Sequence, residues 1–363
     1  MKYLEEFRNK EIVKKLKGKI QQIAAGMPPV KFMEVCGTHT MSIARFGIRR
    51  LLPENVELIS GPGCPVCVTP NQYLDHAIAI GRLPNVILTT FGDMVRVPGS
   101  TSSLEKEKAA GRDIRVVYST LDALQIAESN PDKHVIFLGV GFETTVPTIA
   151  GAVLLAKSKG LKNFSILTAH KTMPRPMAVL ASGDEVQLDG FICPAHVTAI
   201  IGAKAYQFLA DQYGKACVVT GFEPVDIMQG ILFLLKQVKE KNPHVDNQYS
   251  RVATWEGNKE AQRIIYKVFQ PTDAIWRGIG NIPDSGLELR QEYRDYDAAY
   301  RFEVEVESTR EHPGCICGQV MMGARKPFDC KLFGKVCTPE NPVGSCMVSS
   351  EGTCAAYYKY ERF

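Results

Sequence analysis

One device recurs along this chain from about residue 30 to residue 235: a short apolar run ends in small or polar residues, and a helix-like pattern follows. The runs include Val86-Ile87-Leu88-Thr89-Thr90, Val135-Ile136-Phe137-Leu138, Phe164-Ser165-Ile166-Leu167, Phe191-Ile192 and Ala216-Cys217-Val218-Val219. Strands that are apolar on both faces suit a parallel sheet covered by helices, so this stretch reads as α/β. The loops that follow the runs are Phe91-Gly92-Asp93, Gly141-Phe142-Glu143-Thr144-Thr145, His170-Lys171-Thr172, Cys193-Pro194-Ala195-His196 and Gly221-Phe222-Glu223-Pro224. Open α/β sheets bind ligands beyond the carboxyl ends of their strands. Any one of these loops could be only a turn made by Gly or Pro. Together, their acidic, His, Lys and Thr groups predict a shared cleft.

The expected organisation has four parts. Residues 1–25 form a docking helix, with apolar positions such as Phe7, Ile12, Leu16, Ile20 and Ile23 at helical spacing and Gly26 and Pro28-Pro29 beyond its end. Residues 26–147 form a first parallel-sheet α/β domain, and residues 148–240 a second. From 241 to 363 the composition turns polar and then Cys-rich, which reads as a smaller third domain. Hydrophobic residues at 45% and charged residues at 23% are ordinary globular values. The net charge of +4 is spread thinly, so nucleic acid is not the default partner. The N-terminus lacks a secretory apolar core and no run is long enough to span a membrane, which predicts a cytoplasmic protein.

Eleven cysteines in such a compartment call for metal or redox chemistry rather than structural disulfides. Six of them, Cys315, Cys317, Cys330, Cys337, Cys346 and Cys354, lie in a tail rich in Gly and Pro. Thiolates are the soft ligands iron favours, and turn-forming residues let the backbone wrap a compact inorganic core. Only His312 lies near, so mixed Cys/His zinc ligation is poorly supplied. Four thiolates suffice for a cubane cluster, which leaves two for an adjacent redox pair, and spacing does not say which two.

Two further sites precede the tail. In Glu34-Val35-Cys36-Gly37-Thr38-His39, a strand is expected to end at Cys36, so that a thiolate and an imidazole could share a metal or activate one another. In Gly61-Pro62-Gly63-Cys64-Pro65-Val66-Cys67, the Cys-x-x-Cys has no zinc-binding counterpart elsewhere, which favours an exposed dithiol/disulfide couple. Cys193 and Cys217 read as core residues. Phosphate-binding, dinucleotide, zinc-protease and serine-hydrolase motifs are missing from the sequence.

These motifs, with Pro194-Ala195-His196-Val197 and the tail from His312 to Cys354, resemble the HypD family of hydrogenase maturation factors. The resemblance runs from about residue 30 to 355 without a departure at the cysteine positions. It implies two α/β domains facing across a cleft, plus a domain that holds a [4Fe-4S] cluster. It implies a small chaperone partner, HypC, and HypE, charged by HypF, as the source of cyanide for one iron ion. The finished Fe(CN)2CO unit would pass to the hydrogenase large subunit. By the same resemblance, Cys36 is the iron ligand with His39 as neighbour or second ligand, and Cys64 and Cys67 are a dithiol switch. Cys315, Cys330, Cys337 and Cys354 would hold the cluster, with Cys317 and Cys346 as the pair beside it, an arrangement similar to ferredoxin–thioredoxin reductase. The competing readings are a free-standing thiol–disulfide reductase with Cys64 and Cys67 as its catalytic pair, and a zinc-stabilised adaptor.

Overall fold

A computed structural model describes residues 5–183 and 185–362 of the chain. The first four residues of the expected N-terminal segment lie outside them. Nine of the strands form two parallel sheets. The strands are β1 (Val30–Glu34), β2 (Val56–Ser60), β3 (Val86–Thr90), β4 (Ile114–Val116), β5 (His134–Gly139), β6 (Phe164–Thr168), β7 (Gly190–Cys193), β8 (Ala216–Val219) and β9 (Val245–Asn247). One sheet has the order β2-β1-β7-β8-β9 and the other β4-β3-β5-β6. All pairings within both are parallel. Every residue of β3, β7 and β8 is buried, as expected of parallel strands covered by helices on both faces.

The sheets do not divide the chain at 147/148. The first is built from strands before residue 61 and after residue 189, and the second sits between them in sequence. A boundary at 148 would part β6 from β5, to which it is paired along its whole length. The apolar runs of the two sheets are alike, so local sequence carries no mark of which strand pairs with which. The unit expected at 241–363 is also corrected. Its first strand, β9, edges the first sheet. The helix Lys259–Val268 buries Ile265 and Val268 in the core of the second sheet. The antiparallel hairpin of β10 (Phe269–Trp276) and β11 (Gly280–Leu289) joins that core through Phe269, Leu287 and Leu289. The Cys-rich tail packs on the first sheet, with Cys317, Met321 and Cys346 in one core cluster with Met33 and Phe191.

Helix α1 (Lys10–Ala24) begins at Asn9, whose Oδ1 accepts from the Glu11 and Ile12 amides at 2.9 and 3.2 Å. It buries Leu16, Ile20 and Ala24, four residues apart, with Ile231 and Leu235 of the helix Pro224–Glu240. Full burial of each Leu or Ile contributes about 1.5–3 kcal/mol, which suffices to dock a short helix. Among the described residues no helix is long and apolar enough to cross a membrane.

The tail is fastened to the first sheet. Glu34 is completely buried, and its Oε1 accepts from Arg49 at 2.9 Å and Ser60 at 2.5 Å. The other end of the Arg49 guanidinium donates to Glu361 at 2.6 Å, and the group lies 5.0 Å from the Tyr357 ring centre. One arginine thus neutralises a buried carboxylate and pins the helix Thr353–Tyr360. Removing one member of such a pair costs about 3–5 kcal/mol, because the other charge is left buried and unpaired.

Candidate functional site

Cys36 stands where β1 ends, as the N-cap of helix α2 (Gly37–Arg45). Two glycines let other backbone approach it. A Cβ on Gly63 would come within 2.3 Å of the Cys36 nitrogen, and one on Gly37 within 2.5 Å of the Glu351 Cβ. The Gly37 amide donates to the Gly63 carbonyl at 2.8 Å, which joins the two cysteine loops. Thr38 donates its hydroxyl to Glu351 at 2.6 Å and so ties α2 to the tail.

These contacts form one wall of a cavity of about 420 Å³. Asp93, Phe142, Thr144, His196 and Glu351 line it together with Cys36. Of the five strand-end loops, those at 91–93, 141–145 and 193–196 contribute to it, and those at 170–172 and 221–224 do not. Cys36 is 8% exposed. Burial and the Glu351 carboxylate push its thiol up to about 11, against the pull of the His39 and Thr38 amides. At neutral pH it is therefore a thiol, and a bound metal cation would have to displace its proton.

His39 is turned elsewhere. Its Nε2 lies 3.0 Å from the Thr220 carbonyl oxygen and 3.1 Å from that of Gly221, so this nitrogen carries the proton. Its Nδ1 has no partner. Burial holds its pKa down to about 4, which keeps the ring neutral. Its ring centre is 4.7 Å from that of Phe222, whose ring also meets His196 at 4.2 Å. The imidazole that lines the cavity is His196, not His39.

Cys64 caps the short helix α3 (Pro65–Val68), which carries Cys67. Neither is on an exposed loop as the Gly-Pro-Gly entry suggested: they are 4% and 2% exposed. Gly63, Pro65 and Val66 face the Cys36 cavity. The Cys67 thiol donates to the Ser345 carbonyl at 3.7 Å, and the Cys64 and Cys346 side chains are its neighbours. Cys346 stands in turn beside Cys317 and Cys354, and Cys317 beside Cys315. One continuous line of thiols thus runs from the tail to the loop beside Cys36. Ser345 fixes its midpoint: its hydroxyl donates to the Cys67 carbonyl at 2.9 Å and lies 3.8 Å from the Cys317 sulfur. Mutual proximity and burial raise the Cys67, Cys317 and Cys346 thiols well above their ordinary value.

Cys337 lies in the electrostatic field of Cys354 and Cys315, and its sulfur accepts from the Val343 amide at 3.4 Å. The Cys330 sulfur is 3.9 Å from the Gly314 carbonyl oxygen. Among the described residues no three His, Cys, Asp or Glu side chains converge on the place of a single metal ion. All eleven cysteines are free. Cys193 and Cys217 are fully buried in the first sheet, as core residues.

His196 lies in one of the strand-end loops expected at the cleft, whereas Glu351 does not stand out in the sequence as a site residue. The Pro-Ala-His loop offered a signal for His196. Glu351 lies in the tail, and no local pattern connects it to Cys36, some three hundred residues earlier in the chain.

The fold and the site define a parallel α/β protein whose Cys-rich tail brings a line of thiols to the loop beside a cavity that Cys36 lines. Residues 11–361 match the family described as "HypD: Hydrogenase formation hypA family". The chain is 49% identical to hydrogenase maturation factor HypD2 of Bradyrhizobium diazoefficiens, over 100% of this chain and 98% of that protein. It is 44% identical to hydrogenase maturation factor HypD of Cupriavidus necator, over 100% and 98%. It is 43% identical to a putative hydrogenase expression/formation protein of Methanocaldococcus jannaschii, over 98% of each chain. The chain belongs to the HypD family.

Proposed function

We propose that this protein acts in [NiFe] hydrogenase maturation, as the scaffold on which the Fe(CN)2CO unit is assembled in the cytoplasm with HypC and HypE. HypF would charge HypE, and the finished unit would go to the hydrogenase large subunit. The observation that carries the reading is that the loop of Cys64 and Cys67, where the line of thiols ends, walls the Cys36 cavity through Gly63, Pro65 and Val66. Iron is the cargo, and Cys36 is its ligand. The cavity is the cleft between the two α/β units, and it leaves room for a thiolate from the HypC-like partner. Glu351, Asp93 and His196 can hold or move protons there.

The residues present fit a cluster by the chemistry of their donor set. Cys315, Cys330, Cys337 and Cys354 would each bind a different iron of a [4Fe-4S] cluster, so they need not converge on one point. When bound, the cluster supplies electrons one at a time beside the Cys317–Cys346 pair. Oxidation of Cys64 and Cys67 to a disulfide releases two electrons and two protons for ligand addition at the iron. The exchange would follow the order of neighbours along the line. Cys346 attacks the Cys67 sulfur and expels Cys64. Cys317 attacks the Cys346 sulfur and releases Cys67. The outer pair is thereby oxidised and the inner pair restored.

The burial of Cys64 and Cys67 disfavours a reductase acting on a protein substrate, which must touch the catalytic sulfur. A structural zinc site needs four ligands on one ion, and the tail forms no such group among the described residues. The test is anaerobic co-purification with the HypC-like partner, followed by infrared spectroscopy for cyanide and carbonyl stretches. Wild type is expected to show both bands and Cys36→Ala neither. Bands retained by that variant would remove Cys36 from the mechanism.

A further inference from the structure

The outer end of the thiol line opens into a pocket of its own, which Cys315 and Cys317 line. The turn of the β10–β11 hairpin lies against the tail, where Gly278 and Gly318 approach so closely that a Cβ on Gly278 would come within 2.1 Å of the Gly318 Cα. Arg277 stands on this turn and is 5% exposed. Its amide donates to the Val68 carbonyl and its Nε to that of Thr69, both at 2.9 Å. Its Nη1 meets Glu311 at 3.3 Å, and its Nη2 is buried without a partner.

Arg277 lines this pocket, of about 390 Å³, with Arg310, His312, Cys315, Cys317 and Gly344. The floor is bare because position 344 is glycine: a Cβ there would lie 2.5 Å from the Cys315 sulfur and 3.7 Å from that of Cys317. The residues that line the pocket include two arginines, Arg277 and Arg310, and one carboxylate, Glu311. The Glu311 side chain is 52% exposed and its contact with Arg277 is long, so this pairing is weak and easily displaced. A buried guanidinium N–H without an acceptor is costly, and a ligand oxygen would satisfy it. A ligand suited to this pocket brings negative charge to Arg277 and Arg310 and chemistry that thiols can use.

We propose that this pocket admits a small thiol bearing a carboxylate, which reduces the Cys317–Cys346 pair directly. The inference rests on the proposed redox role of that pair. The carboxylate accepts from the free Nη2 of Arg277 and pairs with Arg310, and the ligand sulfur points to the floor. The ligand thiolate attacks the Cys317 sulfur of the oxidised pair. The Cys317–Cys346 bond breaks, and Cys346 leaves as a thiolate and takes up a proton. A second ligand thiolate attacks the ligand sulfur of the mixed disulfide and releases Cys317. Two small thiols become one disulfide, and one protein disulfide becomes two thiols. The inner pair, Cys64 and Cys67, is then restored through Cys346 without any reductant entering the Cys36 cavity.

The test uses the full chain, purified without oxygen and oxidised with one equivalent of a disulfide-forming reagent. Peptide mapping after thiol trapping follows loss of the Cys317–Cys346 disulfide. The probes are mercaptopropionate, mercaptoethanol and cysteamine, at equal thiolate concentrations. The anionic probe is expected to react fastest and the cationic one slowest, with about tenfold between them, as a charged cleft raises the local concentration of its counter-ion. Added salt should narrow the gap. Arg277 also ties backbone, so Arg310→Gln is the cleaner variant: it should keep the disulfide and, with Arg277 still present, lose part of the charge preference. Equal rates for the three probes, or a preference unchanged in Arg310→Gln, would overturn the anion site while leaving the thiol line standing. Failure of Cys317 and Cys346 to form a disulfide at all would overturn both.

Discussion

Glu143→Gln isolates the cost of one buried carboxylate. Glu143 follows β5, is 4% exposed, and accepts the Met173 amide at 2.9 Å through one oxygen, while the other has no partner. Burial pushes its pKa from 4.5 to about 7. Below 4.5 the group is neutral in the folded and unfolded chains alike, and its relative contribution to stability is fully present. As pH rises from there, the unfolded chain releases the proton and the folded chain keeps it, so stability falls until the pH passes the folded value. At about 1.4 kcal/mol for each tenfold change in proton concentration, this interval corresponds to about 3 kcal/mol. Glutamine keeps the acceptor for Met173 and carries no charge. The variant should match wild type at about pH 4.5 and be the more stable by up to about 3 kcal/mol at about pH 8. Urea unfolding followed by tryptophan fluorescence measures this, since Trp276 is fully buried. A difference that is the same at both pH values, or a variant that is the less stable at the higher one, would refute the assignment of Glu143 as the titrating group.

Two further perturbations probe the site. Gly63→Ala places a Cβ against Cys36 backbone, which has no flexible end to yield; it should cost about 1–3 kcal/mol and release the mononuclear iron, and an unchanged melting temperature with full iron would contradict the close approach. Cys330→Ala and Cys337→Ala should each bleach the brown protein expected from anaerobic purification and lower its iron content, and full colour in both would sink the proposed ligand set.

Much of the fold is legible locally. The runs at 86–90, 135–138, 164–167, 191–192 and 216–219 are strands because a chain apolar on both faces has to be covered on both faces. Cys36 and Cys64 were marked by their glycines, and both glycines prove to be places where backbone or tail leaves no room for a Cβ. The hairpin at 269–289 is hard to read locally because polar residues and prolines interrupt both strands. Alternation is visible in the structure: residues 270–275 of β10 alternate between partly buried and exposed.

What sequence alone determined is the class of chemistry: free thiols, parallel strands, and cysteines at strand ends, each a property of a few neighbouring residues. Tertiary structure decided the rest. Burial reversed the expected exposure of Cys64 and Cys67. The carbonyls of Thr220 and Gly221 fixed the His39 ring, and His196 took the place at the cavity wall. Which strands share a sheet, which cysteine touches which, and how Glu351 reaches Thr38 depend on contacts between segments separated by up to about three hundred residues. Such contacts are set by the global packing of similar apolar surfaces, for which no short stretch of chain holds the information.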